Sequence, residues 1–239
     1  AAVHESRCLA KSHMHSVRCE LAAARSWCAL PTMIGSQVCH PDARHPCYHR
    51  GMIYLASQSP RRRELLAQLS VQHQVLRVDV LELRSPSETA VHYVQRVARD
   101  KADAGWSGLS DRHLVTVLAA DTEVVLGDQV FGKPGNAEEA RAMLHRLSGR
   151  THQVLSAVCV IDESGRREAL SRSEVSFVAL EAEDIERYVA SGEPFGKAGG
   201  YAIQGRAAAF VRHLSGSYSG VMGLPLCETA QLLGLRHAT

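Results

Sequence analysis

From Met52 onward, short apolar runs alternate with amphipathic segments, and this alternation limits the folds that the chain can adopt. The apolar runs predict strands over residues 53–56, 75–80, 114–120, 154–161 and 174–180. Helical spacing predicts helices over residues 59–69, 181–190 and 225–233, and two more that begin after Ser87 and Asn136. Residues 123–131 are predicted to return as a hairpin around Gly127 and Asp128. Strands mixed with helices and hairpin returns predict an α/β architecture, in which helices flank a mixed sheet.

Composition and charge exclude several classes of protein. The 239 residues are 45% hydrophobic and 22% charged, which is typical of a globular domain. No uninterrupted apolar stretch approaches the roughly 18 residues that a membrane-spanning helix needs. The 27 basic and 25 acidic side chains leave a net charge of +2, too balanced to predict a nucleic-acid-binding surface. We therefore expect neither a membrane nor a nucleic acid as a partner.

The first 51 residues differ in composition from the rest, because they hold five of the seven cysteines and six of the thirteen histidines. Arg25 interrupts their most apolar stretch, which argues against a secretory signal. Cys39-His40 and Cys47-Tyr48-His49 suggest a zinc site, but no Cys-x-x-Cys pair supports that alternative. We expect residues 1–51 to be a disordered extension, or upstream sequence wrongly included in a protein that starts at Met52. Residues 52–239 are then the folded domain.

Three arginines stand at the start of the first predicted helix. Ser59 is a favourable N-cap, and Pro60 suits the first helical position. Arg61, Arg62 and Arg63 then fall in the first turn, where the helix dipole makes added positive charge unfavourable. An anion bound at the helix end by free N–H groups and guanidinium groups would explain the run. The alternative is that the arginines point into solvent.

Two carboxylates follow predicted strands. Asp121 ends the apolar run 114–120, and Glu82 follows the second predicted strand. Acidic residues at strand ends often lie in the cleft where α/β sheets bind ligands, although a solvated turn aspartate is the alternative. Because Mg²⁺ prefers oxygen ligands and often binds together with substrate phosphates, the two residues are candidate metal ligands.

Lys133 and Gln204 are further candidates for ligand binding. Lys133 lies in a Gly-Lys-Pro turn, where it is either a point charge for phosphate or an ordinary hairpin charge. Gln204 lies in the glycine-rich segment 196–205, whose backbone can approach a ligand closely. Its amide offers a donor and an acceptor to a base edge, or it stabilises the turn. Cys159 and Cys227 are predicted to pack in the core, which does not favour cysteine catalysis.

In order and spacing, these segments resemble the Maf family of nucleoside triphosphate pyrophosphatases, within the inosine-triphosphatase-like superfamily. The resemblance extends from about Ile53 to Leu233 and so covers the predicted domain without the first 51 residues. The matching motifs are Leu55-Ala56-Ser57-Gln58-Ser59-Pro60-Arg61-Arg62, Ala120-Asp121-Thr122, Gly132-Lys133-Pro134, Leu147-Ser148-Gly149, Lys197-Ala198-Gly199-Gly200-Tyr201-Ala202-Ile203-Gln204-Gly205 and Val221-Met222-Gly223-Leu224-Pro225.

The resemblance implies hydrolysis of a nucleoside triphosphate between its α- and β-phosphates, in the central cleft of an inosine-triphosphatase-like fold. The products would be the monophosphate and pyrophosphate, and the cofactor a divalent cation, Mg²⁺ or Mn²⁺. Asp121 would be the proton acceptor that activates water, and Glu82 would join it at the metal. The residues that would line the phosphate site are Ser57, Arg61, Lys101 and Lys133.

The same resemblance places base selection at Arg62, Thr122 and Gln204. Their pattern indicates the subfamily that acts on dTTP and UTP, rather than the one that prefers 7-methyl-GTP. The family also implies a cytoplasmic homodimer. The alternative function is a non-catalytic, nucleotide-binding regulator of cell division and septum formation, against which the intact Asp121, Lys101 and Lys133 argue.

Overall fold

The structure is a computed structural model that describes residues 51–235. The expectations for the leader segment, including the zinc alternative, lie outside these residues. The helices and strands follow in the order β1 (Met52–Leu55), α1 (Pro60–Gln68), β2 (His73–Val75), α2 (Ala90–Ser107), β3 (Val115–Leu126), β4 (Gln129–Phe131), α3 (Ala137–Leu147), β5 (Thr151–Asp162), β6 (Gly165–Phe177), α4 (Ala182–Ala190), β7 (Val211–Ser215), α5 (Tyr218–Met222) and α6 (Leu226–Leu232). Two short 3₁₀ helices, Ala198–Gly200 and Arg206–Phe210, lie between α4 and β7. None of the helices described is long and apolar enough to cross a membrane.

All seven strands form one sheet, in the order β2-β1-β3-β5-β6-β7, with β4 paired to β3. β1 runs parallel to both β2 and β3. The remaining pairs, β3 with β4, β3 with β5, β5 with β6 and β6 with β7, are antiparallel. The predicted α/β architecture with a mixed sheet is therefore confirmed.

Helices cover both faces of the sheet, as the alternating side chains of β3 show. Val117 and Ala119 pack in one buried cluster with residues of α2. Leu118 and Ala120, on the opposite face, pack with residues of α1 and α6. A third cluster joins α3 and α4 to the far ends of β3, β5 and β6. By the same alternation, residues 121 and 123 lie on the face that α2 covers, and residue 122 lies on the face of α1.

Two predicted boundaries were wrong near the edge of the sheet. The second strand occupies His73–Val75 instead of 75–80, and Leu76 makes the last backbone contact by donating its N–H to the Leu55 carbonyl at 2.9 Å. β1 ends at Leu55, so the chain after Leu76 has no strand to pair with. The next helix begins at Ala90, because the side chain of Thr89, rather than Ser87, accepts the N–H of His92.

Two further strands are longer than their apolar runs predicted. β3 continues through Asp121 to Leu126, and β6 begins at Gly165 instead of residue 174. In both cases the long strand β5 supplies the pairing partner, along 117–125 of β3 and 165–176 of β6. Backbone pairing thus holds polar residues in strands that an apolar pattern alone does not reveal. The predicted hairpin around Gly127 and Asp128 is confirmed, since β4 returns antiparallel to the end of β3. Helix α5 was not predicted.

Candidate active site

A gap in strand pairing along β3 opens the central cleft. β1 pairs with β3 only as far as Leu118, and β4 pairs with it only from Val124 onward. Between these points, within the described chain, the edge of β3 that faces β1 and β4 has no strand beside it. A cavity of about 580 Å³ lies here. All nine predicted site residues line it, namely Ser57, Arg61, Arg62, Glu82, Lys101, Asp121, Thr122, Lys133 and Gln204.

The prediction that Asp121 follows the end of its strand was wrong. Asp121 lies in the middle of β3, on the face that α2 covers. Lys101 of α2 meets it there, with Nζ 2.7 Å from Asp121 Oδ1. The same Nζ lies 2.7 Å from Glu82 Oε1, so one ammonium joins the two predicted carboxylates. Both Lys101 and Asp121 are buried, at 7% and 4% exposure. A buried ion pair of this kind fixes the orientation of Asp121.

Glu82 contacts both predicted phosphate-binding lysines. Its second oxygen, Oε2, accepts a hydrogen bond from Lys133 Nζ at 3.1 Å. Burial acts to raise the pKa of Glu82, but hydrogen bonds and charge from Lys101 and Lys133 outweigh it and lower the pKa to about 2. Glu82 is therefore ionised at neutral pH and holds two cationic side chains at the cavity wall.

The opposite side of the cleft is built around Arg62 of α1. Its Nε donates to the Gly223 carbonyl at 2.8 Å, and its terminal nitrogens contact Ser57 Oγ at 3.3 Å and Thr122 Oγ1 at 3.5 Å. Thr122 also lies 3.0 Å from Ser156 Oγ of β5. One polar network thus joins Arg62, Thr122 and Ser57. Its side chains are buried or partly buried on this face of the sheet.

The three arginines of the first turn have different surroundings. Arg61 lines the cavity, with Nε 3.4 Å from the Met222 carbonyl, and Arg62 lies in the network just described. Arg63 is exposed and does not line the cavity. The alternative that the arginines point into solvent therefore holds for Arg63, but not for Arg61 and Arg62. Burial lowers the pKa of Arg61 and of Arg62, and the charge of Asp121 partly offsets this for Arg62. Two partly buried guanidinium groups at one helix end favour an anionic ligand.

Glu123 is a cavity residue that was not predicted. It follows Asp121 by two positions in β3, so both carboxylates lie on the same face. Asp121 Oδ2 and Glu123 Oε2 are buried and accept no hydrogen bond from any described residue. Burial, together with the negative charge of Asp121, raises the pKa of Glu123 to about 8. If the strand had been predicted to continue past residue 120, its alternation would have placed Glu123 on the same face as Asp121.

The glycine-rich segment closes another wall of the cavity. Gly199 adopts φ 69° and lies so close to Val124 that an added Cβ would stand 2.9 Å from its Cγ2. The Gly199 N–H donates to the Gly132 carbonyl at 3.0 Å, which fixes the segment to the turn that carries Lys133. Gln204, five residues on, lines the cavity with an exposed side chain.

The two cysteines between residues 51 and 235 do not line the cavity. Cys159 is fully buried in β5, as predicted, and burial raises the pKa of its thiol to about 12. Cys227 is exposed on α6, so the prediction that it packs in the core was wrong. Neither residue lines the cleft.

The fold and the site together define an α/β protein whose mixed sheet opens into a cleft lined by lysine, arginine and carboxylate side chains. This chain belongs to the Maf family, because the model of that family, described as "Maf-like protein", matches residues 52–235. The resemblance of its motifs to that family is thereby confirmed.

Several relatives carry a more specific name. The chain is 59% identical over 184 residues to a "dTTP/UTP pyrophosphatase" of Xanthomonas campestris pv. campestris, which covers 76% of this chain and 97% of that protein. It is 54% identical over 189 residues to a protein of the same name from Cupriavidus pinatubonensis, covering 76% and 94%. It is 51% identical over 207 residues to another from Burkholderia pseudomallei, covering 82% and 98%.

Proposed function

We propose that this protein hydrolyses dTTP and UTP between the α- and β-phosphates and releases the nucleoside monophosphate and pyrophosphate. The observation that carries the proposal is its identity of 51–59% with three relatives named dTTP/UTP pyrophosphatase, over almost their whole length. The placement of all nine predicted residues around one cavity supports it. No feature of residues 51–235 favours the alternative of a non-catalytic regulator.

The cationic side chains provide a site for the triphosphate. Arg61 and Lys133 line the cavity from two directions, α1 and the turn after β4, and Ser57 adds a hydroxyl. Phosphoryl transfer needs little covalent chemistry from the protein, since positioning and charge stabilisation supply most of the rate. We therefore assign phosphate binding to Ser57, Arg61, Lys101 and Lys133.

Asp121 is the proposed proton acceptor. Lys101 engages its Oδ1, which leaves Oδ2 to accept a proton from the attacking water. The ammonium also fixes the carboxylate in one rotamer, so the base has a defined direction. A carboxylate oxygen carries more than one acceptor site, so Asp121 could act as proton acceptor and also help to hold a divalent cation.

The residues present fit a divalent cation. No group of three or more histidine, cysteine or acidic side chains in a metal-binding arrangement occurs between residues 51 and 235. Mg²⁺, however, is commonly held by one or two carboxylates together with substrate phosphates. Asp121 Oδ2 and Glu123 Oε2 are two buried carboxylate oxygens without a hydrogen-bond partner in this region, which is the chemistry such an ion requires. Asp121 would hold the cation, with Glu82 or Glu123 beside it, and the cation would polarise a phosphoryl oxygen.

Arg62, Thr122 and Gln204 are the proposed base-selecting residues. Gln204 can match one carbonyl and one N–H on the edge of uracil or thymine, because its amide carries both a donor and an acceptor. Bases without that pattern would not pair with both amide groups and should therefore be accepted less well. Thr122 and Arg62 lie on the α1 face of β3, close enough to share a contact.

Membership of the Maf family also suggests an oligomeric state and a cellular location for this protein. We propose a homodimer in the cytoplasm, and light scattering on the purified protein will measure its mass in solution. A mass of one chain at micromolar concentration would contradict the dimer.

A substrate panel tests the proposed function. Pyrophosphate release is measured for dTTP, UTP, CTP and 7-methyl-GTP with Mg²⁺ or Mn²⁺, in the wild type and in Asp121→Asn. We expect the wild type to prefer dTTP and UTP, and the variant to lose about 10²–10⁴-fold in kcat while remaining folded, because Lys101 keeps its ion pair with Glu82. A wild type that prefers 7-methyl-GTP would contradict the substrate assignment, and near-normal turnover by Asp121→Asn would place the base elsewhere.

A further inference from the structure

Gln204 can select a base only if its backbone is held firmly. Its side chain accepts and donates no hydrogen bond within residues 51–235, so nothing on the side chain itself fixes its position. The segment around it has no regular secondary structure between the two 3₁₀ helices. Whatever orients Gln204 must therefore act on the backbone on either side of it.

Tyr188 holds the backbone before Gln204. This residue of α4 is 3% exposed, and its hydroxyl accepts the N–H of Ala202 at 3.1 Å. The hydroxyl proton is donated to Glu193 Oε1 at 2.9 Å, so the tyrosine is both acceptor and donor. Burial, with the adjoining Glu193 carboxylate, raises the pKa of Tyr188, which keeps that proton in place at neutral pH.

Glu193 holds the backbone after Gln204. Its Oε2 accepts the N–H of Arg206 at 3.1 Å, and its Oε1 lies 3.5 Å from the N–H of Ala207. A side chain at residue 205 would collide with the carboxylate, so Gly205 is what allows Glu193 to lie against this segment. A carboxylate that accepts backbone N–H groups makes charge-assisted hydrogen bonds, which are stronger than neutral ones.

We propose that Tyr188 and Glu193 are positioning residues that set base selection by clamping the backbone on both sides of Gln204. Neither lines the cavity, so they do not touch the substrate and act only through the segment 202–207. The two anchors join at the contact between Tyr188 Oη and Glu193 Oε1, which links residues 202 and 206 into one unit. The proposal rests on the proposed function, because it assumes that Gln204 reads a pyrimidine.

A double-mutant cycle tests the proposal. The values of kcat and KM are measured for UTP and CTP in the wild type, Glu193→Gln, Gln204→Ala and the double variant. Glutamine keeps the shape of Glu193, but its amide nitrogen cannot accept an N–H. We expect the ratio of kcat/KM for UTP over CTP to fall about tenfold in Glu193→Gln, mainly through KM for UTP. The double variant should then match Gln204→Ala alone.

The control is Glu181→Gln, at the N-terminal end of the same helix α4, which should leave the UTP-to-CTP ratio unchanged. A ratio that is unchanged in Glu193→Gln, or losses that add in the double variant, would overturn the proposal, since a merely structural role predicts either result. If Glu193→Gln fails to fold, Tyr188→Phe serves instead and should shift the ratio in the same direction.

Hydrogen exchange separates failure of the clamp from failure of the proposed function. We expect the amides of residues 202–207 to exchange about tenfold faster in Glu193→Gln than in the wild type. Equal exchange in the two proteins would overturn the clamp, whatever the substrate. A third outcome is faster exchange in Glu193→Gln together with a wild type that does not turn over UTP. That outcome would uphold the backbone contacts but contradict the proposed function and, with it, the role in base selection.

Discussion

Lys101 is the residue on which the geometry of the cleft depends most. Its ammonium contacts two carboxylates, and one of them, Asp121, is almost fully buried. A buried carboxylate that loses its ion-pair partner is left poorly compensated. Lys133, by contrast, has Glu82 as its single ion-pair partner among residues 51–235, and its side chain is 57% exposed. The two lysines therefore have the same proposed role toward phosphate and different roles in stability.

Lys101→Met should destabilise the apoprotein by about 3–5 kcal/mol, the usual cost of breaking a buried ion pair from one side. Lys133→Met is the matched control and should change stability by less than about 1 kcal/mol, because exposed pairs contribute little. Urea denaturation measures both values. Equal effects of the two substitutions would show that Lys101 is not needed to hold Asp121.

Glu123 is expected to matter for metal binding more than for folding. Its unpartnered oxygen lies on the same strand face as that of Asp121. Glu123→Gln should weaken binding of Mn²⁺ about tenfold in the presence of a non-hydrolysable dUTP analogue, because a carboxylate ligand becomes a neutral amide. The apoprotein should keep its melting temperature, because burial raises the pKa of Glu123 to about 8 and the side chain is already mostly uncharged at neutral pH.

Electron paramagnetic resonance of free Mn²⁺ provides the measurement. Glu168→Gln, on β6 and outside the cavity lining, is the control and should bind Mn²⁺ as the wild type does. Unchanged affinity in Glu123→Gln would leave Asp121 and Glu82 as the protein ligands.

At the scale of elements, β3 divides the chemistry of the cleft between its two faces. Asp121 and Glu123 face α2 and meet Lys101, whereas Thr122 faces α1 and meets Arg62. A single extended strand can therefore supply the proton acceptor on one side and a base-selecting residue on the other. The adjoining strand β5 supports the face of Thr122, since Ser156 contacts Thr122 and donates a hydrogen bond to the Gly220 carbonyl at 2.7 Å.

β5 also contributes a buried histidine that makes stability depend on pH. His152 is 2% exposed, and its Nε2 lies 2.8 Å from the Tyr201 hydroxyl of the glycine-rich segment. Burial lowers the pKa of His152 from 6.5 to about 4. The unfolded chain thus binds a proton at a pH where the folded protein does not. Stability from this residue is present above pH 6.5 and is lost as the pH falls toward 4.

The stability difference between the wild type and His152→Gln isolates this effect. The wild type should lose about 3 kcal/mol relative to the variant between pH 7 and pH 4, because one pKa unit corresponds to about 1.4 kcal/mol. Denaturation at a series of pH values measures the difference, in which the other titrating groups cancel. Parallel pH profiles would show that His152 is solvated or charged in the folded protein.

Elements with strong local signals were predictable from the sequence. Asn136 and Gly149 bracket α3, and Pro60 begins α1, because capping and backbone preference are local properties. β2 and the first half of β6 were mispredicted, because their extent depends on where the neighbouring strand ends. The position of Glu123 was missed for the same reason, since a polar residue in mid-strand is revealed only by the partner β5.

On the scale of the whole molecule, the cleft exists because two strands that flank β3 end before they meet. β1 ends opposite Leu118 and β4 ends opposite Val124, so the open edge between them lies at the centre of the sheet. Residues distant in sequence, from Ser57 to Gln204, reach this opening from α1, α2, β3 and the loops. Sequence motifs identified these residues, but only the register of the strands explains why they converge.

The central claim is that this cleft cleaves a pyrimidine nucleoside triphosphate between its α- and β-phosphates. The most direct test is ³¹P nuclear magnetic resonance of the products that the purified wild type forms from UTP with Mg²⁺, with Asp121→Asn as the matched control. We expect resonances of UMP and pyrophosphate that grow together, and almost no conversion by the variant over the same time. UDP with inorganic phosphate, or equal conversion by the wild type and Asp121→Asn, would contradict the central claim.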